Sequence, residues 1–142
     1  MNEIIAYVDG SYNSKEERVG MGVVFIHPET KNVIHEVKEE IFDQGIKSMR
    51  NVAGELSAVI KAISWAMENG YKKVSIFYDY AGIEKWITGE WKCKTLFTIS
   101  YKRFVEKCKE DIAIEFHKVK AHSGDLLNEY ANILASNACG NS

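Results

Sequence analysis

Proline is almost absent from this chain: among 142 residues it occurs once, at Pro28. It lies in His27-Pro28-Glu29-Thr30-Lys31-Asn32, a hairpin-like connection between two apolar stretches. There is no Pro- or Gly-rich linker, no internal repeat and no low-complexity tract, so residues 1–142 read as a single compact domain, long enough to bury roughly 70% of the unfolded surface. Cysteine is scarce as well. Cys93, Cys108 and Cys139 are odd in number and lack C-x-x-C spacing, which argues against a disulfide framework or a zinc site and fits a reducing cytoplasm. No run approaches the ~18 consecutive apolar residues of a membrane span, and no signal-peptide pattern opens the chain. Excess charge is missing too. A net charge of −2 gives no global attraction to nucleic acid, so any polyanionic partner must be met by a local patch or through metal ions.

What the sequence does have is a buried-strand pattern near its start. Ile4-Ile5-Ala6-Tyr7-Val8 runs unbroken into Asp9, and Gly10-Ser11 reads as turn chemistry. A carboxylate at the end of a central strand needs a cation, a metal or hydrogen bonds, because burying it unpaired costs several kcal/mol. Asp9 is either a turn residue accepting backbone N–H groups or one member of a site. Further strands are expected at Gly20–Ile26 and at Val33–Ile41, which alternates an apolar-leaning face with a charged one. With the first strand they make an antiparallel meander. After the loop Asp43–Arg50, Asn51 is expected to cap a helix that runs to Asn69-Gly70, with Leu56, Val59, Ile60, Ile63 and Met67 as its apolar stripe. Glu55 lies one turn before Val59, so its carboxylate leans to the buried side. It either complements the helix dipole or belongs to a site.

Lys73–Asp79 repeats the opening pattern of a buried strand ending on an aspartate. A meander, a crossover helix and another strand imply that this strand runs parallel to the first, which puts Asp9 and Asp79 at the same C-terminal sheet edge. Carboxylates gathered in this way repel unless a cation holds them. Hard oxygen donors without His or Cys point to Mg²⁺ or Mn²⁺. Gly82–Gly89 reads as a short helix carrying Trp86, with Trp91 just beyond it. A second helix follows at about Thr95–Glu110, then a strand at Ile112–Val119 and a last helix at Leu126–Ala138. From Lys92 to Lys120 eight basic residues stand against four acidic ones. That surplus beside two tryptophans either follows a phosphate backbone or is a solvated helix face over core aromatics. The core reading is preferred for Trp86, and Trp91 is left open. His122, in a small-residue loop before the last helix, is either a surface residue or a proton carrier.

Taken together, Asp9-Gly10-Ser11, Gly54-Glu55, Tyr78-Asp79 and the run Lys120-Ala121-His122-Ser123-Gly124-Asp125-Leu126-Leu127-Asn128-Glu129-Tyr130-Ala131-Asn132 resemble type 1 ribonuclease H, in the family's order and over the whole chain. The resemblance implies an α/β ribonuclease H-like fold, a five-stranded mixed sheet of order 3-2-1-4-5 (three antiparallel, then parallel strands) flanked by helices. It also implies endonucleolytic hydrolysis of the RNA strand of RNA–DNA hybrids, leaving 5′-phosphate and 3′-hydroxyl ends. By position, Asp9, Glu55, Asp79 and Asn132 would be the metal-binding set of a two-ion Mg²⁺ centre, with Mn²⁺ as a substitute. Ions about 4 Å apart would activate water and stabilise the leaving oxygen. His122 would assist proton movement. Gly10, Ser11 and Asn51 would lie along the hybrid, where 2′-hydroxyls mark RNA, and Trp86 and Trp91 near the DNA strand. The partner is then an RNA–DNA hybrid, met by a cytoplasmic monomer.

Two departures from the family stand out. Only Lys92-Cys93-Lys94-Thr95 fills the place of the basic protrusion of longer members, which lowers the expected hybrid affinity; no hybrid-binding domain precedes Met1. The fourth carboxylate of the family's Asn-Glu-x-x-Asp is here Asn132, an engineered change, a natural variant of reduced activity, or the mark of a hybrid binder that no longer cuts. Glu129 and Asp125 are conceivable substitutes at non-equivalent positions. The resulting expectation is a nuclease scaffold impaired at Asn132. Another metal nuclease of the same superfold, such as a resolvase or integrase-type enzyme, is disfavoured by the Ala121–Gly124 loop.

Overall fold

The computed structural model describes residues 2–42, 49–120 and 125–141. Strands β1 (Glu3–Asn13), β2 (Arg18–Ile26) and β3 (Val33–Ile41) are followed by helix α1 (Asn51–Glu68) and strand β4 (Lys73–Tyr78). Helices α2 (Gly82–Thr88) and α3 (Leu96–Cys108), strand β5 (Ala113–Lys118) and helix α4 (Leu126–Ala138) complete the chain. The sheet order is β3-β2-β1-β4-β5. β2 is antiparallel to both β1 and β3, while β4 is parallel to β1 and to β5. This is the expected order and strand sense.

From Ile4 to Val8, β1 is unbrokenly apolar because both of its faces are covered. Ile4, Ala6 and Val8 pack with Leu56, Val59 and Ile63 of α1 and with Tyr101 and Val105 of α3. Ile5 and Tyr7, on the opposite face, pack with Val24, Ile26 and with Ala131 and Leu134 of α4. Three helices thus cover one face and α4 the other. β3 is an edge strand, and of its alternating residues only Val37 is buried, while Val33 and Ile34 are both exposed.

Two local expectations are corrected. β1 does not turn at Gly10-Ser11: it continues to Asn13, with Asp9, Gly10 and Ser11 paired to Gly22, Met21 and Gly20. What ends near Asp9 is the parallel pairing to β4, whose last described partners are Tyr7 and Phe77. β1 outruns β4 and continues as one arm of a hairpin with β2, so Asp9 sits where the sheet narrows. Asn51 is not the N-cap of α1 but its first residue; the cap is Arg50, at φ 55° and without a capping side-chain bond. Packing sets this helix start. A Cβ on Gly10 would lie 2.3 Å from Glu55 N and 2.6 Å from Asn51 O, so α1 begins with its backbone against β1.

α4 approaches the opposite face in the same manner. A Cβ on Gly20 would meet Ala135 O at 2.2 Å, and one on Gly22 would meet Ala131 O at 2.3 Å. These glycines supply space, not flexibility. Gly70 differs: nothing lies within 4 Å of its Cβ position, but its φ is +79°. Gly22→Ala should therefore cost about 3 kcal/mol by overpacking against backbone, and Gly70→Ala about 1 kcal/mol of left-handed strain. Urea unfolding of the two variants checks this, and equal losses would contradict the account of α4 docking.

Candidate active site

β1, α1 and β4 each deliver one acid to the same corner. One carboxylate oxygen each from Asp9, Glu55 and Asp79 lie within 4.8 Å of one another. Asp9 and Glu55 are each only 3% exposed, and Asp79 is partly buried just beyond the end of β4. At an effective dielectric constant of about 20, two unit charges at such a distance repel by about 3.5 kcal/mol. Three full charges there require a proton or a cation.

The donors are distributed unequally. Asp9 Oδ1 accepts the Gly10 N–H at 2.8 Å, the local turn-like bond that the sequence allows, and its Oδ2 accepts Asn132 Nδ2 at 3.0 Å. Asp79 Oδ2 accepts Asn128 Nδ2 at 3.2 Å. Glu55 Oε2 is buried with no hydrogen-bond partner among the described residues. Burial raises the Glu55 pKa well above the usual carboxylate value, with Asp9 and then Asp79 adding to the rise. An orphaned carboxylate oxygen beside two further acids, with no sulfur or imidazole in the cluster among the described residues, fits a hard divalent cation such as Mg²⁺ or Mn²⁺.

The other expected residues divide clearly. Asn132 reaches Asp9, but with its amide nitrogen. Neither conceivable substitute replaces the missing charge: Glu129 is exposed, and Asp125 Oδ1 caps α4 through the N–H groups of Leu127 and Asn128. Gly10 lies against the Asn51 carbonyl, with Ser11 next along the same strand. Trp86 packs against the core as expected, and Trp91, 38% exposed, stands edge-on to it at 5.4 Å. Both rings and Tyr80 crowd over Gly82, where a Cβ would fall within 2.9 Å of each. His122 lies outside the described residues.

Sequence reasoning gave no role to Asn128. It is 4% exposed, its amide nitrogen serves Asp79, and its Oδ1 has no partner among the described residues. A signal was available in the spacing: Asn128, Asn132 and Ser136 recur every four residues and therefore share one face of α4.

Carboxylates from two parallel neighbours and a crossover helix, gathered at one edge of a mixed sheet, form an all-oxygen cluster on an α/β scaffold that could hold a metal ion. The RNase H family pattern matches this chain over residues 1–140. A ribonuclease H of Syntrophomonas wolfei is 26% identical over 151 aligned positions, spanning 97% of this chain and 97% of that protein. Among solved structures, the RNase H1 of the halophilic archaeon Halobacterium salinarum superposes with a TM-score of 0.79 at 20% identity over 96% of each chain. LC11-RNase H1, from a compost metagenome and solved with an RNA/DNA hybrid, gives 0.77 at 21% identity, again over 96% of each. The chain belongs to the ribonuclease H family.

Asn132→Asp exchanges an N–H donor to Asp9 for a fourth negative charge. In chelator it should lower stability by about 2 kcal/mol, the range of a hydrogen bond to a charged group, and millimolar Mn²⁺ should stabilise it more than the parent. Asn128→Ala removes a donor from Asp79 and should weaken Mn²⁺ binding by about tenfold or more. Thermal unfolding and calorimetric titration measure both effects, and unchanged values would remove the two asparagines from the site.

Proposed function

We propose that this protein hydrolyses the RNA strand of RNA–DNA hybrids at the Asp9–Glu55–Asp79 corner, and that Asn132 makes it a slow enzyme. The observation that carries the reading is the convergence of three acids, two of them almost fully buried, within 4.8 Å. Asp9, Glu55 and Asp79, with the Asn132 amide oxygen available on side-chain rotation, would hold two Mg²⁺ or Mn²⁺ ions, which when bound supply the polarisation of the phosphodiester and the activation of water. The chain's own residues do the rest. The carboxylates fix where positive charge collects, and the Gly10 amide and Asn128 hold Asp9 and Asp79 in orientation. Gly10, Ser11 and Asn51 offer a backbone-lined edge to a 2′-hydroxyl-bearing strand, and Trp91 offers an aromatic edge to the other strand. His122 moves a proton. The three free thiols fit a reducing, cytoplasmic setting.

A non-cleaving hybrid binder is the second reading, and the orientation of Asn132 favours it: the amide presents a donor to Asp9 where a ligand oxygen would bring negative charge. Cleavage of an end-labelled RNA–DNA hybrid in Mg²⁺ and in Mn²⁺, run on the parent and on Asn132→Asp, separates the two. The expected result is slow cleavage by the parent and at least about tenfold faster cleavage by the variant, a difference of about 1.4 kcal/mol in barrier. Cleavage by the variant alone would make the parent a binder, and cleavage by neither would end the nuclease reading.

A further inference from the structure

We propose that the segment following α4 is a positioning device for the substrate edge of β1, in which Asn141 acts through Ser11 to set the grip on the nucleic-acid strand; this rests on the nuclease reading above. The polar row on α4, one member every four residues, ends in Ser136, whose Oγ lies 3.3 Å from Ser11 Oγ. Asn141 continues that row beyond the helix. Its Nδ2 donates to Ser11 Oγ at 3.3 Å and to the Tyr12 carbonyl at 3.1 Å. Successive points of the active edge are thereby tied to one side of the molecule: Asp79 by Asn128, Asp9 by Asn132, Ser11 by Ser136 and Asn141, and Tyr12 by Asn141.

The clasp is itself held in place. Gly140 has φ +88°, a left-handed turn that sends the chain back toward β1, and a Cβ there would lie 2.5 Å from Arg18 Nη1. Arg18 bridges Glu16 and Glu40 at 2.8 Å each, which fixes the start of β2. Asn13, only 7% exposed, donates to the Cys139 carbonyl at 3.0 Å, so the end of β1 and the segment after α4 bind each other reciprocally.

Ser11 itself is only partly buried, two residues past Asp9 on the same strand face. A hydroxyl shared by two partners from outside β1 is restrained before any ligand arrives. Preorganisation of this kind improves binding, because the ordering cost is met in the free protein. The stretch Gly10-Ser11 lies where β1 is no longer paired to β4 among the described partners, so the neighbours left to hold it are β2, α1 and this clasp.

The test is a double-mutant cycle on hybrid affinity, read by anisotropy of a labelled RNA–DNA hybrid in chelator, with kcat measured separately in Mn²⁺. Asn141→Ala should weaken affinity about fivefold, the loss of roughly one net hydrogen bond, and leave kcat unchanged. In a Ser11→Ala background the same change should alter affinity less than about twofold, because its route of action is gone. Ser136→Ala removes the second tie to Ser11 and should behave in the same way, which keeps the test available if Asn141→Ala is unfolded at the assay temperature. An equal loss in both backgrounds would mark a merely structural role, and no loss in the parent would remove Asn141 from recognition; either overturns the proposal while the nuclease reading stands. A parent chain that binds no hybrid would overturn both.

Discussion

Mutual repulsion among Asp9, Glu55 and Asp79 is the constraint on which the rest of the structure depends. Placing three acids within 4.8 Å, two of them 3% exposed, works against folding. The protein meets this by holding Glu55 toward its protonated form, by giving Asp9 two N–H donors, and by giving Asp79 one amide donor from Asn128. These neutral donors orient carboxylates without cancelling their charge. The corner therefore keeps the negative charge that a divalent cation would meet, in a geometry that is already set.

That geometry requires backbone contact, and four glycines provide it. Gly10 and Gly54 let α1 settle onto β1 and β2, where a Cβ on Gly54 would lie 2.4 Å from Gly20 O of β2. Gly20 and Gly22 let α4 settle onto β2 from the opposite face. Glu55 and Asn132 thus reach Asp9 from two layers of the fold. A side chain at any of these positions would hold a helix away from the sheet and draw the site apart. The ribonuclease H fold fixes which elements meet at this edge, and the glycines fix how closely.

Much of this was legible beforehand because its causes are local. The apolar run Ile4–Val8, the repeated pattern ending at Asp79 and the helical stripe through Leu56, Val59 and Ile63 each follow from side-chain periodicity, and the crossover fixes the parallel pairing. The extension of β1 to Asn13 was hidden because Gly10-Ser11 carries turn chemistry, while the ladder to β2, a long-range feature, overrides it. Asn51 has the composition of a cap, yet close packing against Gly10 places it inside the helix. The four-residue spacing places Asn128 and Asn132 on one face of α4, but that this face meets Asp79 depends on the phase of α4 relative to β4, which no local run encodes. The clasp by Asn141 joins positions 130 residues apart, beyond the reach of any local pattern.

Asn132 turns the account into a question of charge. Its amide donates to Asp9 where the family's pattern would place a fourth carboxylate. The central claim is that three carboxylates and this amide still make a divalent-metal centre. Anomalous diffraction from crystals equilibrated with Mn²⁺ tests it most directly. The account predicts a manganese peak bonded to carboxylate oxygens of Asp9 and of at least one of Glu55 and Asp79, with the Asn132 side chain turned from its hydrogen bond to Asp9. A corner without manganese, its Asn132–Asp9 bond intact, would contradict it.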